Sequence, residues 1–247
     1  AYGLPTVRTE AVADLEAAMA AADRIGYPVA LKILSPDISH KSDVGGVALD
    51  IGAAAELRHA GAAMLARVKA ARPEARVEGF TVQTMARRPG AYELILGVAY
   101  DPIFGPVILF GEGGVAVEVI RDRAVALPPL NFTLAAAMVQ RTRIARRLAG
   151  FRDRPPIAFD ALYLALVRVA QIVVDLPEVR ELDINPLYAD AGGVLALDAR
   201  IAVASAPPGV DHLAIKPYPQ ELEEAVRRQS DLPGVHLDLG AILWRRG

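Results

Sequence analysis

The chain has 247 residues, of which 53% are hydrophobic and 23% charged, with a net charge of -2 and no cysteine. The weak charge gives no reason to expect nucleic acid as a partner, and the lack of cysteine excludes disulfides, thiolate metal sites and a cysteine nucleophile. No apolar run approaches the roughly 20 residues that a membrane crossing needs, so we expect no association with a membrane. The lack of cysteine is compatible with a reducing cytoplasm, where we expect the protein to be. Because the sequence starts at Ala1 without a methionine, we expect it to be a piece of a longer protein.

The first predicted elements are two helices around a strand. The first helix has one apolar face and stops at Gly26-Tyr27-Pro28; its apolar residues are Leu15, Ala18, Ala22 and Ile25. The run from Val29 to Leu34 predicts a strand with Lys32 in its middle. A second helix is predicted to end near Arg72-Pro73, on an apolar stripe formed by Leu57, Met64, Leu65 and Val68.

Strands and then helices follow. Four extended runs are predicted, at Val77 to Gln83, Glu93 to Ala99, Pro106 to Phe110 and Val115 to Ile120. A third helix is predicted from Leu134, Met138, Ala145 and Leu148, and a fourth from Leu162, Leu166, Val169 and Val173. Two strands, Glu181 to Leu187 and Val194 to Ala199, are predicted around the turn at 190–193. This order favours a two-lobed α+β protein over a doubly wound sheet, with residues 206–247 as a linker or tail.

Lys32 and the loop after its strand suit phosphate chemistry. The loop, from Asp37 to Val47, contains His40, Lys41, Ser42 and the adjacent pair Gly45-Gly46. Lysines neutralise phosphate oxygens and paired glycines let backbone N–H groups approach them, while a histidine can carry a phosphoryl group. Taken singly, a strand lysine that reaches solvent and a solvent-exposed loop histidine are equally ordinary interpretations.

A second cluster suits a divalent cation. In the predicted strand Glu181 to Leu187, Asp183 and Asn185 point to the same side because side chains alternate along a strand. Asp198 lies on the strand that a short hairpin would pair beside it. Three oxygen donors on one sheet face suit Mg²⁺. The alternative is that Asp183 and Asn185 only cap a strand end.

Together these motifs resemble the ATP-grasp domain of ADP-forming acyl-CoA synthetases of the β-subunit type, over Tyr2 to Ile201. The resemblance rests on the segments 26–32, 35–47, 104–107, 111–114 and 181–187. It implies an ATP-grasp fold of two α/β lobes with the nucleotide cleft between them, an N-terminal lobe at 1–85 and a C-terminal lobe with the metal hairpin at 86–205. The implied function is an ADP-forming acid–thiol ligase component that is incomplete without a CoA-binding α subunit or domain.

The resemblance also implies roles for single residues. Lys32 contacts the phosphates of ATP or ADP, and the segment 82–85 is the hinge that meets adenine. Asp183, Asn185 and Asp198 hold Mg²⁺, and His40 is transiently phosphorylated and relays the phosphoryl group to the CoA-binding partner. The remaining cofactor-binding residues expected are Lys41, Ser42, Gly45, Gly46, Gln83, Met85, Glu93, Gly113 and Gly114.

Some features leave other functions open. The resemblance implies a basic residue where this chain has Val125-Ala126-Leu127-Pro128-Pro129. This segment, with Leu130-Asn131 and residues 214–223, looks more like a bacterial subgroup fused to an N-acetyltransferase domain. In some members of that subgroup the synthetase region is catalytically silent and regulatory. A third interpretation is an ATP-grasp enzyme of the biotin-carboxylase or peptide-ligase kind, which has no need of the His40 loop. The arginines between 141 and 154 are interpreted as a solvated helix face or a contact with CoA or the partner domain.

Overall fold

A computed structural model describes residues 2–38, 40–114, 122–150, 154–205 and 213–215. The chain forms two compact units, one made of Thr6–Arg87 and the other joining the first residues, up to Pro5, to the chain from Arg88 onward. The strand predicted at Val115 to Ile120 and the tail predicted at 206–247 lie outside the described residues, apart from 213–215. Within the described ranges, no helix is both long enough and apolar enough to cross a bilayer.

The smaller unit is an antiparallel sheet with two helices. Its elements are β1 (Thr9–Val12), α1 (Leu15–Ile25), β2 (Val29–Leu34), a 3-10 helix (Lys41–Val44), β3 (Val47–Ile51), α2 (Ala54–Ala71) and β4 (Gly79–Thr84). The strands lie in the order β1-β4-β2-β3, so β2 and β4 are central. The fully buried side chains of Leu31, Leu57, Met64 and Phe80 join β2, α2 and β4 into one core, in which alanines of α1 also lie.

The larger unit is a longer sheet with a helical layer. Its elements are β5 (Tyr92–Asp101), β6 (Gly105–Glu112), β7 (Arg123–Ala126), α3 (Phe132–Gln140), α4 (Ala145–Leu148), α5 (Phe159–Asp175), β8 (Val179–Asp190), β9 (Gly193–Ala196) and β10 (Ala199–Val203). The sheet runs β10-β8-β5-β6-β7, and β9 pairs with β8. Alternate residues of β5, β6 and β8 contact the buried residues of α3, α4 and α5, so only one face of the sheet belongs to this core.

The third predicted helix was wrong as a single element. The chain forms α3, stops after Gln140, and starts the short α4 at Ala145. The reason is the buried Asp122, whose carboxylate accepts hydrogen bonds from the backbone N–H groups of Arg143 (2.8 Å) and Ile144 (2.7 Å). Asp122 is 21 residues before Arg143 and 22 before Ile144. A distant carboxylate thus caps the N-terminus of α4, and the helix starts anew there.

Candidate functional site

Lys32 lies on the central strand β2, opposite Val47 of β3 and Thr81 of β4. Its neighbours Leu31 and Ile33 are completely buried, whereas Lys32 is only partly buried. The alternation predicted from sequence is therefore confirmed: the lysine points away from the core of its unit. Its position on a central, doubly paired strand fixes its backbone.

His40 is exposed and lies between two groups of residues that hydrogen bonds fix in place. Ahead of it, Asp37 accepts hydrogen bonds from the backbone N–H of Arg76 (2.8 Å) and from its guanidinium Nε (3.1 Å) and Nη2 (3.0 Å), and Ile38 is buried. This pairing with Arg76 lowers the pKa of Asp37 to about 2. His40 itself is exposed and immediately precedes the 3-10 helix that contains Lys41 and Ser42.

Gly45 and Gly46 hold the other end. Gly45 has a φ of +66°, in the left-handed region, and its carbonyl accepts from Arg67 Nη2 at 3.2 Å. The Gly46 N–H donates to the Lys41 carbonyl at 2.7 Å, and the Gly46 carbonyl accepts from the Ile33 N–H at 2.8 Å. The paired glycines thus tie the 3-10 helix back onto β2, and a side chain at Gly46 would meet Ile33 Cγ2 at 2.7 Å.

The two residues expected to line the adenine hinge lie on or beside β4. Gln83 is 8% exposed and faces Thr9 of β1 and Ala30 of β2 across the sheet. Met85 follows the strand and its N–H donates to the Pro28 carbonyl at 3.2 Å. The Gln83 backbone is therefore part of the sheet, and the Met85 N–H already has a partner within the protein.

Asp183 and Asn185 lie together on the face of β8 that points away from the core. Their neighbours Leu182 and Ile184 are buried in the core, whereas Asp183 and Asn185 are half-buried. Burial and the charges of Glu181 and Asp198 raise the pKa of Asp183, while Arg200 and Arg123 oppose that shift. The sequence prediction that Asp183 and Asn185 share a face is thus confirmed.

Asp198 lies near Asp183 but not on a strand as predicted. β9 ends at Ala196 and β10 starts at Ala199, so Asp198 is in the break between two strands that both pair with β8. Its carboxylate accepts from the Ala199 N–H at 3.1 Å. Opposite the break, β8 contains the cis bond before Pro186, whose carbonyl accepts from the Leu197 N–H at 3.1 Å.

The glycine turn after β6 is adjacent to this cluster. The Gly113 N–H donates to the Glu93 carbonyl at 2.8 Å, and the Gly114 N–H donates to Asn185 Oδ1 at 3.2 Å. An added Cβ at Gly113 would lie 2.4 Å from the Leu94 carbonyl carbon, and one at Gly114 would lie 2.2 Å from Glu93 Oε2. Only glycine allows the turn to approach β5 this closely, which brings Glu93, Gly114 and Asn185 together.

These residues fit a small hard cation better than a soft one. Within the described parts of the chain, no three His, Asp or Glu side chains are grouped so that they could hold a metal ion. The candidate set has only two such side chains, and its third oxygen comes from the Asn185 amide. Two carboxylates and one amide oxygen, with Asp198 close enough to affect the pKa of Asp183, match an ion such as Mg²⁺ that retains several waters and shares phosphate oxygens.

Sequence reasoning missed a group of charged residues beside the glycine turn. Arg147 Nη1 pairs with Glu112 Oε1 at 2.6 Å, and the guanidinium groups of Arg147 and Arg154 each lie 5.4 Å from the centre of the Tyr92 ring. The structure places these two arginines at a cavity, whereas the sequence suggested a solvated helix face or a contact with a partner. The sequence contained one indication of this group: the acidic Glu112 lies inside the glycine motif, where it could pair with a basic side chain.

Comparison with known proteins agrees with the fold and the motifs. The model of an ATP-grasp domain family matches residues 1–203. The chain belongs to this family. The ATP-grasp domain is 36% identical over 200 residues to the β subunit of acetate–CoA ligase (ADP-forming) I of Pyrococcus furiosus, covering 81% of this chain and 85% of that subunit. It is thus a β-subunit-like member of the ADP-forming acetate–CoA ligase family.

Other relatives are longer, or have known structures. Acetate–CoA ligase (ADP-forming) I of Archaeoglobus fulgidus is 40% identical over 203 residues, which are 82% of this chain but only 29% of that ligase. Acetyl-coenzyme A synthetase 1 of Ca. Korarchaeum cryptofilum, solved with coenzyme A and Ca-AMPCP, matches this ATP-grasp domain with a TM-score of 0.78 and 39% identity, covering 82% of this chain and 88% of that one. Another structure of that synthetase contains Mg-AMPPCP and a phosphohistidine segment pointing towards the nucleotide site (TM-score 0.70, 36% identity, 82% and 87% covered).

Proposed function

We propose that this ATP-grasp domain binds Mg-ATP or Mg-ADP and passes a phosphoryl group through His40 to a CoA-binding α subunit or domain, as part of an ADP-forming acetate–CoA ligase. The carrying observation is the placement of His40: exposed, beside Lys41 and Ser42, on a segment tied down at Asp37 and at Gly45-Gly46. An exposed loop histidine is ordinary by itself; the fixed backbone on both sides of His40 is what suits it to accept a phosphoryl group. The relatives named above, with their ADP-forming activity and their phosphohistidine segment, support the same assignment.

The proposed nucleotide contacts are the residues expected from the sequence. In the smaller unit they are Lys32, Lys41, Ser42, Gly45, Gly46, Gln83 and Met85, and in the larger unit Glu93, Gly113 and Gly114. Phosphoryl transfer depends on charge neutralisation and positioning more than on covalent chemistry supplied by the protein. Lysine side chains and a divalent cation supply that neutralisation, because the N–H groups of the glycines already bond within the protein.

Asp183, Asn185 and Asp198 would hold Mg²⁺. When bound, the ion would neutralise the phosphate oxygens of the nucleotide. Asn185 is oriented for this by the Gly114 N–H, which bonds its Oδ1 atom at 3.2 Å. Burial and like charge already raise the pKa of Asp183, and a cation at this position would relieve that repulsion.

His40 would act as a nucleophile and then as a leaving group. An imidazole nitrogen bonds to the γ-phosphorus of ATP while the bond from that phosphorus to the bridging oxygen breaks, and ADP leaves with the electron pair. The phosphoryl group then passes to a histidine of the CoA-binding partner, which restores the His40 imidazole. From that histidine it passes to the carboxylate of the acid, which forms an acyl phosphate and frees the second imidazole. The CoA thiol then displaces phosphate and loses its proton, and the thioester forms. Coenzyme A would therefore be bound by the partner.

Labelling with γ-³²P-ATP and Mg²⁺ tests the relay. The wild-type chain should gain acid-labile, base-stable label, the behaviour of a phosphohistidine, whereas His40→Ala should gain none. His59→Ala is the matched control, since His59 is exposed on α2 of the same unit. Label that survives His40→Ala, or disappears equally in His59→Ala, would reject the relay through His40.

A second candidate function rests on one feature of β7. Ala126, at the end of that strand, packs against the core, in the segment where the family resemblance implies a basic residue. This departure favours a nucleotide or acyl-CoA sensor that regulates an attached N-acetyltransferase domain without turnover. Calorimetry with Mg-ATP, combined with the labelling experiment above, distinguishes the two functions. Binding without phosphohistidine supports the sensor, and binding with phosphohistidine supports the ligase.

A further inference from the structure

A small cavity in the larger unit lies beside the glycine turn. It has a volume of ≈ 240 Å³ and is lined by the turn at 112–114, by Tyr92 and Glu93 at the start of β5, and by Arg147 and Arg154. Pockets for whole small-molecule cofactors are usually about 300–1,000 Å³. The cavity therefore suits one small ionic group with its waters better than a complete nucleotide.

Two positive charges converge on this cavity. Arg147 is fixed by three contacts. Its backbone carbonyl accepts a hydrogen bond from the Tyr92 hydroxyl at 2.8 Å. Its guanidinium pairs with Glu112 at 2.6 Å and lies 5.4 Å from the centre of the Tyr92 ring. Arg154 lies at the same distance from the same ring, and among the described residues it forms no ion pair with a carboxylate. Two guanidinium groups on one aromatic ring repel each other, so a bound anion would stabilise the pair.

Two carboxylates also line the cavity: Glu112, which pairs with Arg147 at 2.6 Å, and Glu93. A carboxylate repels a fully ionised anion, but it accepts a hydrogen bond from an anion that still carries a proton. Phosphate groups have their last ionisation at a pKa near 6 or above, so a phosphate near neutral pH carries both ionised oxygens and, in part, a P–OH group. Sulfate has no such proton. Because Glu112 is already paired with Arg147, Glu93 is the carboxylate left to accept that proton. The two arginines together with Glu93 therefore favour phosphate over sulfate.

We propose that this cavity is a subsite for a partly protonated phosphate group, with Arg147 and Arg154 donating to its ionised oxygens and Glu93 accepting its P–OH hydrogen. Arginine donors match the geometry of tetrahedral oxyanions well. The inference rests on the proposed function for the source of the group, which is either inorganic phosphate or the terminal phosphoryl group of the nucleotide. Gly114 bonds to Asn185 at 3.2 Å, so the subsite adjoins the proposed cation site.

Calorimetric titration of the full chain with inorganic phosphate, in chloride buffer without Mg²⁺ or nucleotide, tests the subsite. Phosphate should bind with saturation and sulfate at least about tenfold more weakly. Arg154→Gln should weaken phosphate binding by about tenfold or more, the effect expected for one charge-assisted hydrogen bond. Arg146→Gln is the matched control, because Arg146 is exposed on the same short helix as Arg147 and does not line the cavity. Glu93→Gln should reduce the preference for phosphate over sulfate.

Several results would overturn the subsite: no saturable phosphate binding, equal binding of sulfate, or equal losses in Arg154→Gln and Arg146→Gln when both variants melt like the wild type. A non-hydrolysable ATP analogue that displaces phosphate where ADP does not identifies the terminal phosphoryl group as the occupant; if neither nucleotide displaces it, the occupant is inorganic phosphate. A chain that forms phosphohistidine without binding phosphate rejects the subsite alone. Phosphate binding without phosphohistidine rejects the proposed relay alone.

Discussion

Substituting Gly46 by alanine should loosen the segment that presents His40. The added Cβ would lie 2.7 Å from Ile33 Cγ2 and 2.9 Å from the Lys41 carbonyl oxygen. Ile33 is completely buried on a central strand and the carbonyl is backbone, so neither atom can rotate away. To make room, the 3-10 helix has to move off β2, which stretches the Gly46 to Lys41 and Ile33 to Gly46 hydrogen bonds of 2.7 and 2.8 Å.

The size of the effect follows from two opposing contributions. Overpacking a tight site costs about 1–3 kcal/mol, and replacing glycine by alanine recovers about 0.4–1 kcal/mol by restricting the unfolded chain. The net loss of about 1–2 kcal/mol corresponds to a melting temperature lower by roughly 2–8 °C in a chain of this length. Phosphorylation of His40 should slow as well, because the segment is no longer held in one position.

Gly52→Ala is the control within the same unit. Its Cβ would meet only Glu56 Oε2, the end of a flexible side chain, at 3.4 Å. Thermal melts and γ-³²P labelling of both variants should therefore show Gly46→Ala impaired and Gly52→Ala equal to the wild type or slightly more stable. If Gly46→Ala melts and labels like the wild type, or if Gly52→Ala is equally impaired, the reasoning about the anchored segment is wrong.

Three further predictions concern charged residues. Burial and neighbouring acids raise the pKa of Asp183, so its charged form destabilises the fold above that pKa. Without ligand at pH 7, Asp183→Asn should therefore have a higher melting temperature than the wild type, and the difference should shrink in acid. The same variant should lose Mg²⁺-dependent nucleotide binding in calorimetry. The pKa of Asp37 is about 2, so its pairing with Arg76 should stabilise the fold above about pH 4 and lose that effect as the pH falls to about 2. The melting temperatures of the wild type and Asp37→Asn should converge over this range. A constant difference between them would contradict the assignment. Lys32→Met should weaken Mg-ATP binding by about tenfold or more in calorimetry, and unchanged affinity would exclude Lys32 from the phosphate contacts.

Sequence patterns predicted the long elements well and the short strands poorly. The apolar stripes of α1, α2 and α5 and the run of β2 are confirmed within a few residues of their predicted bounds. The strands β1, β3, β7 and β10 were not predicted, because each has only four or five residues and they lack a clear apolar alternation. Such short strands are stabilised by pairing with distant partners, and that pairing leaves little mark on the local sequence.

The candidate site likewise has features that local sequence predicted and features that it did not. Alternation along one strand was enough to place Asp183 and Asn185 on a common face. The N–H groups of Gly45 and Gly46, expected to approach phosphate, instead bond to the carbonyls of Ser42 and Lys41. Alternation did not predict that Asp198 lies in a break between two strands, nor that Arg147 and Arg154 share the Tyr92 ring. Those arrangements join parts of the chain that are far apart in sequence.

The amino-acid sequence by itself determined the family and the kinds of residue available for phosphate and cation binding, because local motifs and periodicity are written in consecutive residues. Only the tertiary structure decided which of them meet. The Asp37–Arg76 pair, the Gly114–Asn185 hydrogen bond and the cavity at Tyr92 each form when strands and helices pack. Contacts of this kind depend on register and on how closely two backbones approach, and both are set by the packing of the whole unit.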